Sequence, residues 1–317
     1  MTDLIFISAQ PSDFKFTWQI DVQCWNFREL GISKQYQVLI YVSNENDLKE
    51  WNRLIKKYPE VQFFFYYDKG VDLKTYIPQL RPHILKQHFE KYDLKDKTFF
   101  YLDSDVIFRE LPDFKTLLKD DICWQSNTSS YLDYNYLIAK EKQGNIPNNL
   151  AVKKMAEIGR ITPEIIQSYT GKTGGAQYLL KNIDADFWGD VERICIDIRK
   201  NFTHVSLLER NEDSFNTVYF QNEDSGFQSW CADMWAVNFS LWKRNKITDI
   251  HKELDFTWAT DNVDKWFENK IYHDAGGTMK GLFNKSVWNT TSPVGKNISV
   301  LSSFASYHYV EAIKKVK

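Results

Sequence analysis

No stretch of this chain approaches the run of about eighteen apolar residues that a membrane-spanning helix needs. The opening residues, Met1-Thr-Asp-Leu-Ile-Phe-Ile, enter a strand pattern directly, without a basic and then apolar leader. Charge of one sign is missing as well: 40 Lys and Arg stand against 42 Asp and Glu, net −2. No global field therefore announces nucleic acid or membrane, and only a local basic groove stays open. Four cysteines (Cys24, Cys123, Cys195, Cys231) lie far apart in apolar contexts with no Cys-x-x-Cys spacing, which reads as buried free thiols of a reducing compartment. Together these absences give the expectation of a cytoplasmic protein. Gly-x-Gly-x-x-Gly and Gly-x-x-x-x-Gly-Lys-Ser/Thr loops are absent, so ordinary dinucleotide and P-loop readings fail. The lack of Gly-x-Ser-x-Gly and His-Glu-x-x-His removes the serine-hydrolase elbow and the zinc-protease helix. No internal repeat, low-complexity segment or linker divides the chain.

What is present is a folded composition, 43% hydrophobic and 16% aromatic. Leu4–Ile7, Gln37–Val42 and Val61–Tyr67 read as strands. The helices between and after them run from about Phe16 to Leu30, over Asp47–Lys57 and over Pro82–Lys91. This β–α–β–α–β order predicts a mostly parallel central sheet flanked by helices. Such sheets bind ligands at the carboxyl ends of their strands, where Gln10, Asp68 and Asp105 fall.

The most informative stretch is Thr-Phe-Phe-Tyr-Leu-Asp-Ser-Asp-Val-Ile-Phe, residues 98–108. It reads as a buried strand broken by two carboxylates, Asp103 and Asp105, which converge if the chain is extended there. Ionised carboxylates in such surroundings are costly unless a cation meets them, and hard oxygen donors suit Mg²⁺ or Mn²⁺. A glycosidase reading leaves so tight a pair unexplained. Phe227–Trp242 has helical spacing of Phe227, Trp230, Met234, Val237 and Leu241. Asp233 then lies beside a tryptophan-rich apolar face, as a general base for an acceptor hydroxyl would.

Tyr-Leu-Asp-Ser-Asp-Val-Ile-Phe followed by Leu-Pro-Asp-Phe resembles the metal strand of GT-A glycosyltransferases. Gly174-Gly175, Asp233 opening a helix and a late His273 follow in the order of the GT-A common core. Phe16-Thr-Trp-Gln, Arg81-Pro82 and Trp230-Cys-Ala-Asp-Met-Trp-Ala are similar to the plant hydroxyproline O-arabinosyltransferase and serine galactosyltransferase group. The chain departs from that group in having Asp-Ser-Asp where Glu-Pro-Asp is usual, and the secretory anchor of that group is not expected here. The resemblance implies a single GT-A domain over 1–317, Rossmann-like, with a nucleotide-sugar and metal half at 1–110 and an acceptor and catalytic half at 111–317. It implies Asp103, Asp105 and His273 as metal ligands, with Asp105 the direct one, and Asp233 as the catalytic base. Gln10, Arg81, Lys86, Gly174, Gly175 and Lys280 would contact the donor, a UDP-sugar first among candidates; Asp255, Trp258 and Asp261 would contact the acceptor.

The implied activity is metal-dependent transfer of a pentose such as arabinose, or of a hexose, to an acceptor hydroxyl. That hydroxyl can belong to a glycan, a protein, or hydroxymethylcytosine in phage DNA; the compact chain, rich in Lys, Asn, Phe and Tyr, is like many large-phage proteins. A non-catalytic nucleotide- or carbohydrate-binding protein is the alternative of another class.

Overall fold

The computed structural model describes residues 4–45, 48–67, 76–202 and 227–317. In chain order the elements used below are β1 (Leu4–Pro11), α1 (Phe14–Glu29), β2 (Tyr36–Tyr41), α2 (Leu48–Lys57), β3 (Gln62–Tyr66), α3 (Leu80–Lys91), β4 (Thr98–Leu102), β5 (Val106–Phe108), α4 (Phe114–Leu117) and β6 (Cys123–Asn127). They continue with α5 (Tyr134–Gln143), α6 (Leu150–Gly159), α7 (Pro163–Ser168), β7 (Gly174–Lys181), α8 (Ala185–Phe202), α9 (Ala232–Lys243), β8 (Thr248–Ile250), β9 (Phe256–Trp258), α10 (Asp264–Glu268), β10 (Ile271–His273) and α11 (Ser306–Lys315). Among the described residues no helix is long and apolar enough to cross a membrane. All four cysteines are buried.

The chain forms two compact units. Met1–Gly70, Lys97–Asp120 and His251–Lys317 make the first; Val71–Asp96 and Asp121–Ile250 make the second.

In the first unit the strand order is β3-β2-β1-β4, all parallel, with Phe6 opposite both Tyr36 and Phe100. β1 and β2 are buried almost throughout, as expected for inner strands of a parallel sheet covered on both faces. β1 is longer than expected: it runs through Gln10 and Pro11, and the Ser12 N–H extends the ladder to the Tyr41 carbonyl at 2.8 Å. Phe6, Phe27, Phe100, Phe108 and Phe114 pack edge-on or stacked with centroids 5.1–6.1 Å apart. α1 ends where Gly31, at φ +73°, turns the chain and Ile32 N–H reaches the Phe27 carbonyl at 2.9 Å.

The expected single strand over residues 98–108 is two strands. β4 stops at Leu102, residues 103–105 turn, and β5 joins a small separate sheet of order β5-β10-β9. The cause lies on α1. Gln19, Gln23 and Asn26 stand at i, i+4 and i+7, a buried polar stripe along α1. Ser104 Oγ donates to Gln19 Oε1 at 2.6 Å. Gln23 Nε2 donates to the carbonyls of Asp103 (2.9 Å) and Val106 (2.7 Å), and Asn26 brackets the Phe108 N–H and carbonyl at 2.8 Å each. Backbone groups that a continued ladder would have satisfied are met by side chains instead.

In the second unit β6 runs antiparallel to β7 and parallel to β8, with α8 packed on α3 and α9. Gly174-Gly175 lies inside β7. A Cβ on Gly174 would sit 2.4 Å from Gln125 Cβ and from the Ser126 carbonyl, so glycine is what lets β7 close on β6. The helix expected from Phe227 starts at Ala232 and is preceded by a tight turn, Ser229–Cys231. That turn takes Trp230 off the apolar face, and its side chain is exposed.

Candidate active site

Asp103, Asp105 and His273 come together in the first unit with one ligand atom each, all within 4.8 Å of one another. The turn at 103–105 supplies the carboxylates. β10 supplies the imidazole, because its antiparallel register sets His273 opposite Val106, and Asp274 N–H bonds the Asp105 carbonyl at 3.0 Å. His273 Nε2 lies 3.2 Å from Asp105 Oδ1 and 3.6 Å from Asp103 Oδ2. Trp258, paired with His273 in register, stacks on the imidazole at 6.2 Å and 12°. Two carboxylates and an imidazole are a donor set for Mn²⁺ or Mg²⁺, and the three residues fit such an ion.

Lys280 and Lys285 both follow the glycines after His273 in the sequence, and Lys285 is brought into this site. Lys285 places its ammonium directly on Asp105 Oδ2 and also donates to the Asp274 carbonyl at 2.5 Å. Burial opposes ionisation of Asp105, yet Lys285 and His273 hold its carboxyl well below the usual carboxylate range. Burial likewise opposes charge on Lys285, and Asp105 and Asp274 outweigh it. Asp274 is the converse: buried, with Oδ1 taking the Tyr272 hydroxyl at 3.1 Å, it is pushed up to about 7 by desolvation. The signal in the sequence was a lysine four residues past a glycine, Gly281 to Lys285, and nothing there distinguished it from Lys280.

The remaining donor and acceptor candidates of the first unit are dispersed in role. Gln10 is buried, its Nε2 donating to the Leu39 carbonyl at 2.7 Å while Oε1 finds no hydrogen-bond partner among the described residues. Lys280 is exposed. Asp261 accepts the Trp258 N–H at 2.8 Å and so closes its own turn, and Asp255 precedes β9. Asp68 lies outside the described residues.

In the second unit Asp233 occupies the first turn of α9. Tyr76 Oη lies 2.9 Å from its Oδ1, and Arg81 Nη1 reaches Oδ2 at 3.4 Å. The expected surroundings were apolar. The structure gives this carboxylate a phenol and a guanidinium, both of which stabilise its charged form. Lys86 is not brought to this group: it lies 3.8 Å from Glu90 on its own helix and against Gly189 of α8. A Cβ on Gly175 would meet Leu132 and the sulfur of Met234, the neighbour of Asp233.

No family model matches this chain, and no curated protein sequence matches it. Among solved structures it is similar to the apo form of the bifunctional glycosyltransferase WbbM, with 11% identity over 99% of this chain and 50% of that one, at TM-score 0.48. It is similar to the galactosyltransferase LgtC in complex with donor and acceptor sugar analogues, with 10% identity over 98% and 96% of the two chains, at TM-score 0.42. It is also similar to mouse xyloside xylosyltransferase 1 in its apo form, with 9% identity over 86% and 98%, at TM-score 0.43. This chain thus spans half the length of the WbbM chain it matches.

Proposed function

We propose that this chain is a metal-dependent glycosyltransferase of the GT-A type, moving a sugar from a nucleotide-sugar donor to an acceptor hydroxyl. The observation that carries the reading is the Asp103–Asp105–His273 group, in which a buried Asp105, a half-buried Asp103 and a buried imidazole offer a donor set for a divalent cation, on a turn held by α1. Bound there, Mn²⁺ or Mg²⁺ would supply charge neutralisation to a leaving nucleoside diphosphate. Lys285 supports the donor side: an ammonium that gives up Asp105 to a metal needs another anion, and a donor phosphate is one. Gln10 Oε1, a buried acceptor at the carboxyl end of β1, suits an N–H of the donor's base, with UDP-sugars first among candidates. Asp233 takes the acceptor proton; Tyr76 and Arg81 orient it and keep it charged, the form that accepts a proton. A base in that role inverts the anomeric centre.

The donor and metal work is assigned to residues 1–110 with the His273 and Lys285 segment, and the acceptor work to the rest. The test is a thermal-shift screen of UDP-, GDP- and CDP-sugars with and without Mn²⁺, followed by mass spectrometry of glycan, peptide and hydroxymethylcytosine-DNA acceptors. Asp105→Asn should lose Mn²⁺-dependent donor binding. Asp233→Asn should keep donor binding and lose about a hundredfold or more in turnover. Donor binding that ignores both Mn²⁺ and Asp105→Asn would overturn the reading.

A further inference from the structure

Of the eleven tryptophans in the chain, all within the described residues, Trp230 alone is exposed, at 52%. Its neighbours along the chain, Trp235 and Trp242, are buried. An exposed indole on a loosely held loop would mean little. This one is carried by a turn fixed from several directions. Tyr76 Oη lies 2.9 Å from the Trp230 carbonyl, 2.9 Å from Asp233 Oδ1 and 3.2 Å from the Asp233 N–H, so one phenol ties the indole's backbone to the carboxylate. Arg199 donates to Ser229 Oγ at 2.7 Å and lies over the Tyr76 ring at 5.6 Å. Gln228 N–H donates to Tyr136 Oη at 2.9 Å. The indole leans on Tyr131, centroids 5.7 Å apart and tilted 32°.

An ordered, half-open aromatic surface on a turn whose backbone shares the Tyr76 hydroxyl with a carboxylate is the chemistry that recognises a sugar ring. The C–H face of the ring packs on the indole, and the hydroxyls at its edge take the polar groups. A polyanion fits less well. Arg81 pairs with Asp233, and Arg199 with Ser229 and the Tyr76 ring, and the Asp233 carboxylate would repel a phosphate chain. We infer that Trp230, backed by Tyr131, is a sugar-binding platform; on the transferase reading proposed above, the ring it holds is that of a glycoside acceptor, set beside Asp233. Trp230 then determines acceptor class, and Tyr76 is a positioning residue that fixes indole and carboxylate relative to each other.

The experiment measures sugar binding by the full chain without metal or donor, so that it stands apart from transfer. Saturation-transfer NMR and tryptophan fluorescence titrations would use methyl glycosides of galactose, glucose, xylose and arabinose, with a hydroxymethylcytosine oligonucleotide as the competing probe. At least one glycoside should bind the wild type. Trp230→Ala should weaken it tenfold or more and Trp230→Phe only a few-fold, with unfolding midpoints unchanged because the side chain is exposed. In transfer assays Trp230→Ala should raise the acceptor KM by a similar factor and leave the donor KM alone. Absence of glycoside binding, unchanged binding in Trp230→Ala, or stacking of the oligonucleotide in place of every glycoside would overturn the platform. Glycoside binding lost in Trp230→Ala with no transfer from any nucleotide-sugar would uphold the platform and overturn the transferase reading.

Discussion

Gln23 holds Asp103 by its backbone, donating to the Asp103 carbonyl at 2.9 Å while the same amide nitrogen donates to Val106 at 2.7 Å. A buried glutamine on α1 thereby spans the turn that presents both carboxylates. The Tyr36 hydroxyl donates to Gln23 Oε1 and pairs with Ser8 at 2.6 Å, so the amide cannot rotate without breaking bonds to two strands. The turn that carries both carboxylates is fixed from behind, by a residue outside the Asp103–Asp105–His273 group.

Replacing Gln23 by Ala removes donors from two carbonyls and the acceptor from a buried phenol. Unsatisfied buried groups cost about 1–3 kcal/mol each, with partial relief by water, so denaturant unfolding should show a loss of about 3 kcal/mol. Mn²⁺ affinity, followed by calorimetric titration, should fall about ten- to a hundredfold, as it does when support behind metal ligands is lost. Wild-type Mn²⁺ affinity in a folded Gln23→Ala protein would remove it from this role.

Lys285 is paired with Asp105, so on the metal-dependent reading proposed above a divalent cation would have to compete with it. In Lys285→Met the ion no longer has to displace an ammonium, so Mn²⁺ should bind about tenfold more tightly, a gain of about 1.4 kcal/mol. Nucleoside diphosphate binding in the presence of Mn²⁺ should weaken. If Mn²⁺ binds the variant no better than the wild type, the ammonium leaves Asp105 at no cost and the competition is absent.

The two adjacent glycines of β7 should respond unequally to alanine. A Cβ at Gly174 meets backbone and a strand side chain at 2.4 Å, whereas at Gly175 the nearest atom is the end of the Leu132 side chain at 2.9 Å. Gly174→Ala should cost about 3 kcal/mol or prevent folding, and Gly175→Ala about 1 kcal/mol, by thermal or urea unfolding. Equal losses would show that β7 can move away from β6.

His88 provides a pH dependence. It is buried, and desolvation, with Lys91 adding to it, lowers it from 6.5 to about 4. Between those values the unfolded chain binds the proton and the folded chain does not. Stability is therefore highest above about pH 6.5 and falls as pH drops toward 4. This residue alone should make the protein on the order of 2–3 kcal/mol less stable at pH 4.5 than at pH 7.5. Urea unfolding of wild type and His88→Gln at both pH values isolates the effect: the variant should lack that share of the difference.

The order of strands and helices in the first 110 residues was legible in the sequence because each element carries its own periodicity and its own stop, Gly31 after α1 being one. The Asp103–Asp105 pair stands out in the sequence because charge is conspicuous in an apolar run, and His273 was expected from its late place in the order of the GT-A common core. Tertiary structure alone decided the rest. Whether residues 98–108 form one strand or two depends on Gln19, Gln23 and Asn26, some eighty residues away, whose amides replace the missing ladder. Lys285 reaches Asp105 across 180 positions, and no local pattern encodes a partner at that separation. Trp230 carried the spacing of a buried helical face, and a turn pinned by Tyr76 and Arg199 put it outside. Periodicity reports which face a residue would occupy if its element continued; long-range hydrogen bonds determine where the element stops.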